Sequence, residues 1–313
     1  MSVRVDRALV TGIGGQDGSY LAERLLADGV EVHALVLGSE PPNPYVPADV
    51  VCHTGDLADT SGTRGLVTDL RPDLVVNLAA ISSVAQSWDD PDLTAQVNGA
   101  AAVSLMESAH RVGARVVQAS SAEIFGEPAV APQDEATPVR PINPYGAAKA
   151  YAHLAAGVYR ARGAHVSSLV LYNHESPRRP TRFVTRKITS TVAAIARGEA
   201  DSLTLGNLEA RRDWGWAPDY VDAMVRAAHA ETPDDYVVAT GTAHSVRDFV
   251  AAAFAAADIS DWEGLVHTDP AFMRPADPTE LVGDASLARE RLGWQPTVTF
   301  AEVVARMVRA DLG

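Results

Sequence analysis

Cysteine, long apolar runs and positive charge are all scarce in this sequence of 313 residues. The one cysteine, Cys52, cannot form an internal disulfide, which is typical of a reducing compartment. No apolar run approaches the roughly 18 residues that a membrane span needs, and the N-terminus leads within a few residues into a predicted strand. The sequence therefore predicts a cytoplasmic protein with neither a signal peptide nor an anchor.

The sequence has fewer basic than acidic residues, with 26 Lys and Arg against 40 Asp and Glu, so the formal net charge is −14. Broad contact with nucleic acid or anionic membrane needs a basic face, so this balance argues against both partners. A small group of cations is nevertheless suited to an anionic ligand, and it consists of Arg178, Arg179, Arg182, Arg186, Lys187, Arg211 and Arg212.

Apolar runs alternate with helical patterns through the first half of the chain. Strands are predicted at 7–11, 31–37, 50–53, 74–78, 115–119 and 166–171, and helices at 19–27, 61–70, 93–112 and 145–161. This alternation predicts an α/β fold with a parallel, doubly wound sheet of the Rossmann type. We expect that domain at 1–172 plus 217–241, and a smaller α/β substrate lobe at 173–216 plus 242–313.

A glycine-rich turn at 11–18 joins the first predicted strand to the first helix. Glycine permits a tight turn and lets the backbone approach a dinucleotide pyrophosphate at a helix N-terminus. The glycines at 12, 15 and 18 do not match the pattern with glycines at the first, third and sixth positions, because Asp17 occupies the sixth. A plain surface loop is the alternative, but the position after the first strand favours NAD(P) binding.

Two further segments concern the cofactor. Asp56-Leu57, after the third strand, suits contact with adenine, although an aspartate there equally suits a turn or a helix cap. The second strand ends in Val36-Leu37-Gly38-Ser39-Glu40, without an acid in the usual place for a ribose 2′-hydroxyl and without an arginine for a 2′-phosphate. The missing cation favours NAD over NADP.

Four residues form the predicted catalytic group. Tyr145 and Lys149 are four apart in a predicted helix, so they project from one face, and an ammonium lowers the pKa of a nearby phenol. Ser121 follows a strand at the carboxyl edge of the sheet, where its hydroxyl can share a proton with Tyr145 and a substrate alcohol. Glu123 suits removal of a proton beside a newly made ketone. Each assignment has a structural alternative: Tyr145 and Lys149 could lie on an exposed helix turn, Ser121 could be a helix or turn cap, and Glu123 could be a solvated loop acid.

These residues resemble the GDP-mannose 4,6-dehydratase family of extended short-chain dehydrogenases/reductases over nearly the whole chain. The most specific motifs lie at 118–123, 144–149, 173–179, 183–187, 206–208 and 212–215. The resemblance implies an NAD(P)-dependent lyase that converts a nucleotide hexose, GDP-mannose first among them, into its 4-keto-6-deoxy form. It also implies NADP as the cofactor and a homodimer, with a tetramer left open.

The resemblance further implies individual roles. Ser121, Glu123, Tyr145 and Lys149 would be catalytic. The cofactor would contact Gly12, Ile13, Gly15, Gln16, Asp17, Gly18, Asp56, Leu57, Leu78, Ala79, Ala80, Tyr145, Lys149 and His174. The nucleotide sugar would contact Ser82, Ser121, Glu123, Asn173, Val184, Lys187, Arg212 and Arg274. No metal is expected.

Three departures from the family pattern leave parts of this interpretation open. Leu37-Gly38 replaces an arginine pair, which affects NADP preference and the family's tetramer contacts. Ile81 stands where glutamine is usual, beside the sugar pocket at Ser82. Residues 180–182, Pro-Thr-Arg, replace Gly-Ala-Asn, which affects the nucleotide or sugar accepted.

Other functions also stay open. A nucleotide-sugar 4-epimerase or 4-reductase needs Tyr145 and Lys149 but no eliminating carboxylate, so Glu123 argues against it. A sugar decarboxylase or another hexose dehydratase would suit Glu123 equally, and a GDP-heptose could replace GDP-mannose. A non-catalytic NAD(P)-sensing protein could keep the glycine turn without an intact catalytic group.

Overall fold

The computed structural model describes residues 4–38, 43–273, 276 and 278–313. Its strands are β1 (Arg7–Thr11), β2 (Glu31–Val36), β3 (Val51–Thr54), β4 (Leu74–Asn77), β5 (Arg115–Ala119), β6 (Val166–Leu171), β7 (Asn173–Glu175), β8 (Leu203–Leu205), β9 (Arg211–Trp216), β10 (Asp235–Val238), β11 (Ala243–Ser245), β12 (Val266–Thr268) and β13 (Glu280–Leu281).

The α-helices are α1 (Gln16–Ala27), α2 (Thr60–Leu70), α3 (Val84–Asp89), α4 (Pro91–Thr94), α5 (Ala102–Val112), α6 (Pro144–Ala161), α7 (Val184–Ala196), α8 (Ala217–His229), α9 (Val246–Ala256), α10 (Ser286–Leu292) and α11 (Phe300–Leu312). A π-helical segment, Ala95–Ala101, joins α4 to α5, and 3₁₀ turns lie at Ala122–Phe125, Glu263–Leu265 and Pro270–Phe272. No helix in the described part of the chain is long and apolar enough to cross a membrane.

Seven strands form one sheet in the order β10-β6-β5-β4-β1-β2-β3, and every neighbouring pair is parallel. The predicted doubly wound parallel sheet is therefore confirmed. The strand order reverses between β1 and β4, and ligands of such sheets bind outside the carboxyl ends of the strands at that point. Of the residues predicted as catalytic, Ser121 and Glu123 come directly after β5, which lies next to β4.

Smaller sheets form beside the main one. β11, β9 and β13 make one sheet, which β7 extends by pairing with β9, while β12 pairs with β8. Large apolar side chains of β9, α9 and α11 fill the core beneath them, among them Trp214, Phe249, Phe254 and Met307. This packing forms a hydrophobic core distinct from the clusters that cover the main sheet, and we refer to this part of the chain as the second lobe.

Some segments that follow β7 in the chain pack against the core of the main sheet and not in the second lobe. Tyr220, Val221 and Met224 of α8 belong to the hydrophobic cluster that also contains residues of β1 and β2, and β10 completes the edge of the main sheet. Ala285 and Trp294 pack in that same cluster although the sequence assigned 242–313 to the second lobe. The exact lobe boundaries stay a prediction.

The helix predicted at 93–112 is interrupted by the π-helical segment. Asn98 in that segment accepts a hydrogen bond from the Ile81 N–H at 2.8 Å and donates one to the Ile81 carbonyl at 3.0 Å. The amide therefore satisfies both backbone groups of the loop that follows β4. Apolar spacing does not distinguish a π turn from an α turn, so the sequence did not reveal it.

Candidate active site

The glycine turn fits tightly between β1 and β4. Gly12 has a φ of +73°, and a Cβ there would lie 2.7 Å from the backbone nitrogen of Ala79. A Cβ on Gly18 would lie 2.3 Å from the Gly12 carbonyl oxygen. Both positions therefore require glycine, which brings the predicted residues Ile13 and Leu78 close to the start of α1.

In the described part of the chain, no side chain caps the N-terminus of α1. Gly15 is the N-cap residue, in extended conformation, and it has no side chain that could accept a hydrogen bond from the first turn. The first N–H groups of a helix lack partners inside the helix and carry its positive dipole end. The turn therefore fits a dinucleotide pyrophosphate, which would accept these hydrogen bonds.

A chain of buried hydrogen bonds aligns the three central strands at the site. The Thr11 hydroxyl donates to Asn77 Oδ1 at 2.6 Å, and Asn77 Nδ2 donates to Gln118 Oε1 at 2.8 Å. The N–H of Ala79 donates to the Thr11 hydroxyl at 3.1 Å. These bonds fix the ends of β1, β4 and β5, and therefore the position of the catalytic loop relative to the glycine turn.

Two predicted cofactor residues, Asp17 and His174, contact each other directly. His174 Nε2 lies 2.8 Å from Asp17 Oδ2, and Gln16 Nε2 donates to the His174 carbonyl at 3.0 Å. The Ser176 hydroxyl donates to Gln16 Oε1 at 2.8 Å. The His174 ring also stacks on Tyr220, with 4.4 Å between ring centroids. The start of α1 is therefore joined to β7 of the second lobe.

Ser121, Glu123, Tyr145 and Lys149 lie together at the carboxyl edge of the sheet. Lys149 Nζ donates to the Ala119 carbonyl at 2.9 Å and lies 5.9 Å from the centroid of the Tyr145 ring. Glu123 Oε2 accepts a hydrogen bond from Asn143, the residue that starts the helix carrying Tyr145. The Ser121 hydroxyl and the Glu123 charge both influence the pKa of the Tyr145 phenol. The carboxylate thus lies beside the first turn of the helix that carries the phenol.

Burial dominates the electrostatics of this group. It raises the pKa of the Tyr145 phenol to about 12, with the Glu123 charge acting in the same direction against the hydrogen bond from Ser121. It lowers the pKa of the Lys149 ammonium to about 8. Without ligands, the phenol is therefore protonated at neutral pH, and a bound cofactor or substrate must change its surroundings before it acts as a base.

Two residues beside the site were not assigned a role from the sequence. Asn143, the N-cap residue of α6, donates from Nδ2 to Glu123 Oε2 at 2.8 Å. Arg179 lies over the Phe183 ring, with its guanidinium carbon 3.8 Å from the centroid, and its Nε lies 3.4 Å from Oε2 of the buried Glu175. The arginine cluster in the sequence included Arg179, but nothing there singled it out from its neighbours.

The residues predicted to contact the nucleotide sugar have varied surroundings. Val184 begins α7, whose N-terminus is capped by no side chain of the described residues, and Lys187 Nζ lies 3.8 Å from the centroid of the Phe272 ring. Asn173 begins β7 at the edge of the site. The buried Arg212 donates to the Pro278 carbonyl at 2.8 Å, which joins β9 to the segment before β13.

The remaining predicted contacts are positioned as follows. Ser82 is exposed after β4, and Ala80 is half-buried in the same loop. Asp56 accepts a hydrogen bond from the Ala58 N–H at 2.8 Å, which is a local turn, and Leu57 is buried. Arg274 lies outside the described residues, so its role stays a prediction.

The parallel sheet, the glycine turn and the Tyr145/Lys149 pair define a class, the nicotinamide-dependent enzymes of the short-chain dehydrogenase/reductase type. Within that class, the family described as GDP-mannose 4,6 dehydratase matches residues 9–307. GDP-mannose 4,6 dehydratase 1 of Arabidopsis thaliana is 44% identical over 324 residues, covering 97% of this chain and 89% of that protein. The chain belongs to the GDP-mannose 4,6-dehydratase family.

Further relatives agree with this assignment. The human GDP-mannose 4,6 dehydratase is 39% identical over 338 residues, covering 97% of this chain and 91% of that protein. Among solved structures, the UDP-glucose 4-epimerase of Thermus thermophilus in complex with NAD has a TM-score of 0.87 and 30% identity, covering 98% of this chain and 99% of the other. The fold is thus shared with an epimerase, so the particular reaction depends on the site.

Proposed function

We propose that this chain is a nucleotide-hexose 4,6-dehydratase whose substrate is GDP-mannose and whose product is GDP-4-keto-6-deoxy-mannose. The single observation that carries the proposal is that the Glu123 carboxylate lies 2.8 Å from Asn143 Nδ2, at the start of the helix that carries Tyr145, since elimination needs an acid–base group beside the oxidised carbon. The match to the dehydratase family over residues 9–307 supports the same reaction.

The residues of the chain have separate tasks in this reaction. Tyr145 removes the proton of the hydroxyl at carbon 4, with Ser121 sharing that proton and Lys149 supplying positive charge. Glu123 then removes the acidified proton at carbon 5 and returns it to the hydroxyl that leaves carbon 6 as water. NAD(P), when bound beside the glycine turn, would supply the acceptor for the hydride of carbon 4 and its donor to carbon 6, while a solvent proton would restore carbon 5, so that no cofactor is consumed overall.

The second lobe would recognise the nucleotide. The start of α7, which no described side chain caps, and the Lys187 ammonium suit a diphosphate, because helix N–H groups and cations both favour negative charge. Arg212 and Arg274 add the charge-assisted, paired hydrogen bonds that guanidinium groups form with phosphate. Asn173 would contact the sugar from β7.

We propose NAD as the preferred cofactor. At the end of β2, Leu37 is exposed and Gly38 follows, so the described residues place no cation where a 2′-phosphate would need one. Binding titrations should give a lower Kd for NAD than for NADP. A Leu37→Arg variant should shift the ratio of the two constants towards NADP, and an unchanged ratio would contradict this placement.

We also propose that the protein is a homodimer. Tyr151, Leu154 and Val158 form an apolar stripe along α6, and each side chain is more than half exposed. Their spacing places them on one helix face, which two copies related by a two-fold axis can bury against each other. A contiguous exposed apolar patch of this kind is typical of an interaction surface.

The main rival is a 4-epimerase, because a structure so named shares the fold at 30% identity. Incubation with a panel of nucleotide hexoses, followed by mass analysis, separates the reactions. A dehydratase yields a product lighter by one water, an epimerase yields one of unchanged mass, and a non-catalytic binding protein yields none. The proposal would be refuted if none of the nucleotide hexoses in the panel lost water.

Two variants test the residue roles in that assay. Glu123→Gln should slow elimination about a hundred- to ten-thousand-fold while cofactor binding stays unchanged. Tyr145→Phe should block the first oxidation, so that neither reduced cofactor nor product forms. Product release by Glu123→Gln at the parent rate would show that Glu123 does not carry the elimination.

A further inference from the structure

The side-chain amide of Asn143 forms two hydrogen bonds, each to a different part of the active site. Its Oδ1 accepts a hydrogen bond from the Gly146 N–H at 2.7 Å, which caps α6. Its Nδ2 donates to Glu123 Oε2 at 2.8 Å. Only 5% of Asn143 is exposed, so water does not compete freely for either bond. The residue that starts the helix carrying Tyr145 therefore also contacts the eliminating carboxylate.

The backbone around this amide leaves it little freedom. A Cβ on Gly146 would lie 2.5 Å from the Glu123 carbonyl oxygen, so the first turn of α6 presses against the turn that carries Glu123. The N–H of Arg140 donates to the Ile124 carbonyl at 2.9 Å, which fixes the incoming chain beside the same turn. The distance between Asn143 and Glu123 is thus determined by backbone packing.

We propose that Asn143 is a positioning residue that orients the Glu123 carboxylate for the elimination step, an inference that rests on the proposed function. The amide occupies Oε2 and leaves Oε1 to reach the substrate. Oε1 takes the proton from carbon 5, the electrons of that C–H bond form the double bond to carbon 6, and the carbon 6–oxygen bond breaks. The same proton then joins the departing oxygen, so water leaves and the carboxylate is restored.

Asparagine is suited to this double role because its side chain has both an acceptor and a donor. Serine and aspartate are equally good N-caps, but neither replaces the second function. Serine is too short to reach the carboxylate across the same gap. Aspartate has the length but presents a second oxygen where the donor was. Asn143→Ser and Asn143→Asp therefore keep the cap and remove the contact with Glu123.

The two steps of the reaction can be timed separately in a single turnover of the full-length variants with GDP-mannose. Reduced-cofactor absorbance follows oxidation at carbon 4, and mass analysis follows loss of water. We expect Asn143→Ser to leave the oxidation within about twofold and to slow elimination about tenfold, a part of what a general acid–base group contributes. Reduced cofactor then accumulates during turnover. Asn143→Asp should slow elimination at least as much.

A double-mutant cycle tests whether Asn143 acts through Glu123. In the Glu123→Gln background, Asn143→Ser should cause no further slowing. Thr299→Ser, a cap substitution at the start of α11, is the matched control and should change neither step.

Three results would overturn the proposal: equal slowing of both steps, slowing of elimination independent of Glu123, or parent rates in both Asn143 variants. If the parent dehydrates GDP-mannose and Asn143→Ser eliminates water at the parent rate, only the role of Asn143 is rejected. A parent that releases no dehydrated product from any nucleotide hexose rejects the proposed function as well.

Discussion

His174 Nε2 lies 2.8 Å from Asp17 Oδ2, while His174 Nδ1 lies 2.7 Å from the carbonyl oxygen of Tyr172. Both ring nitrogens therefore face acceptors, and both hydrogen bonds form only when the ring is a protonated imidazolium. Burial opposes the charge on each partner, but their attraction outweighs it. The pKa of His174 is accordingly above its ordinary value and that of Asp17 below.

Asp17→Asn should lower the free energy of unfolding by about 3 kcal/mol, because it leaves a buried cation without its partner. The Asp17 contribution is present above its ordinary pKa of 3.8 and is lost as pH falls through the lowered value. The His174 contribution is present below 6.5 and is lost as pH rises through the raised value. The loss on mutation should thus be greatest between those two pH values.

Denaturant unfolding across pH measures this dependence for parent and variant. Asp28→Asn is the matched control, since Asp28 ends the same helix and forms an exposed ion pair with Arg24. Its effect should stay below about 1 kcal/mol. A loss in Asp17→Asn that does not vary with pH would show that the pair is not charged.

Lys149→Met should abolish activity and yet stabilise the protein at pH 7 by about 2 kcal/mol. Burial lowers the pKa of Lys149 to about 8, so the folded protein binds its proton less tightly than the unfolded chain does, with its ordinary 10.5. Parent stability rises with pH across that interval, and the advantage of the variant shrinks. The Ala119 carbonyl keeps a second donor, Gln118 Nε2. A variant less stable than the parent at pH 7 would contradict this.

Gly146→Ala should cost about 1–3 kcal/mol and reduce elimination, because the new Cβ would push α6 away from the Glu123 turn. Gly65→Ala in α2 is the control, since a Cβ there meets nothing within 4 Å. It should stabilise the protein by about 0.5–1 kcal/mol, as alanine favours helix. Thermal unfolding and the product assay measure both effects. Equal stability of the two variants would contradict the close approach.

Leu154→Glu should convert a dimer into a monomer, because it places a charge in the apolar stripe of α6. The control is Leu312→Glu, another exposed leucine, on α11. Light scattering after size-exclusion chromatography gives the mass of each. If the Leu154→Glu variant has the same mass in solution as the parent dimer, the interface does not include this face of α6.

The sequence predicted the first domain well because local signals coincide there. Continuous apolar runs such as Val75-Val76 are buried between two helical layers, and the turn after β1 needs glycine because Gly12 lies against the backbone that follows β4. Tyr145 and Lys149 were predictable as a pair because their spacing lies within one helix. The contact between Asn143 and Glu123 was not, since it depends on how two chain segments twenty residues apart pack.

Arg179 shows the same limit. In the sequence it is one of several arginines, and only the fold separates them. Arg178 turns to Glu23 and the Tyr20 ring, whereas Arg179 pairs with the buried Glu175 of β7. Asp56 shows the converse case, since its turn hydrogen bond to Ala58 was one of the alternatives that the sequence left open.

The most direct test of the central claim uses GDP-mannose that carries deuterium at carbon 4. If Tyr145 and Glu123 act on one sugar in one cleft, the 4-keto-6-deoxy product should carry that deuterium at carbon 6 of the same molecule, with a solvent hydrogen at carbon 5. Deuterium returned to carbon 4 in an epimerised sugar, or released to solvent, would contradict the account.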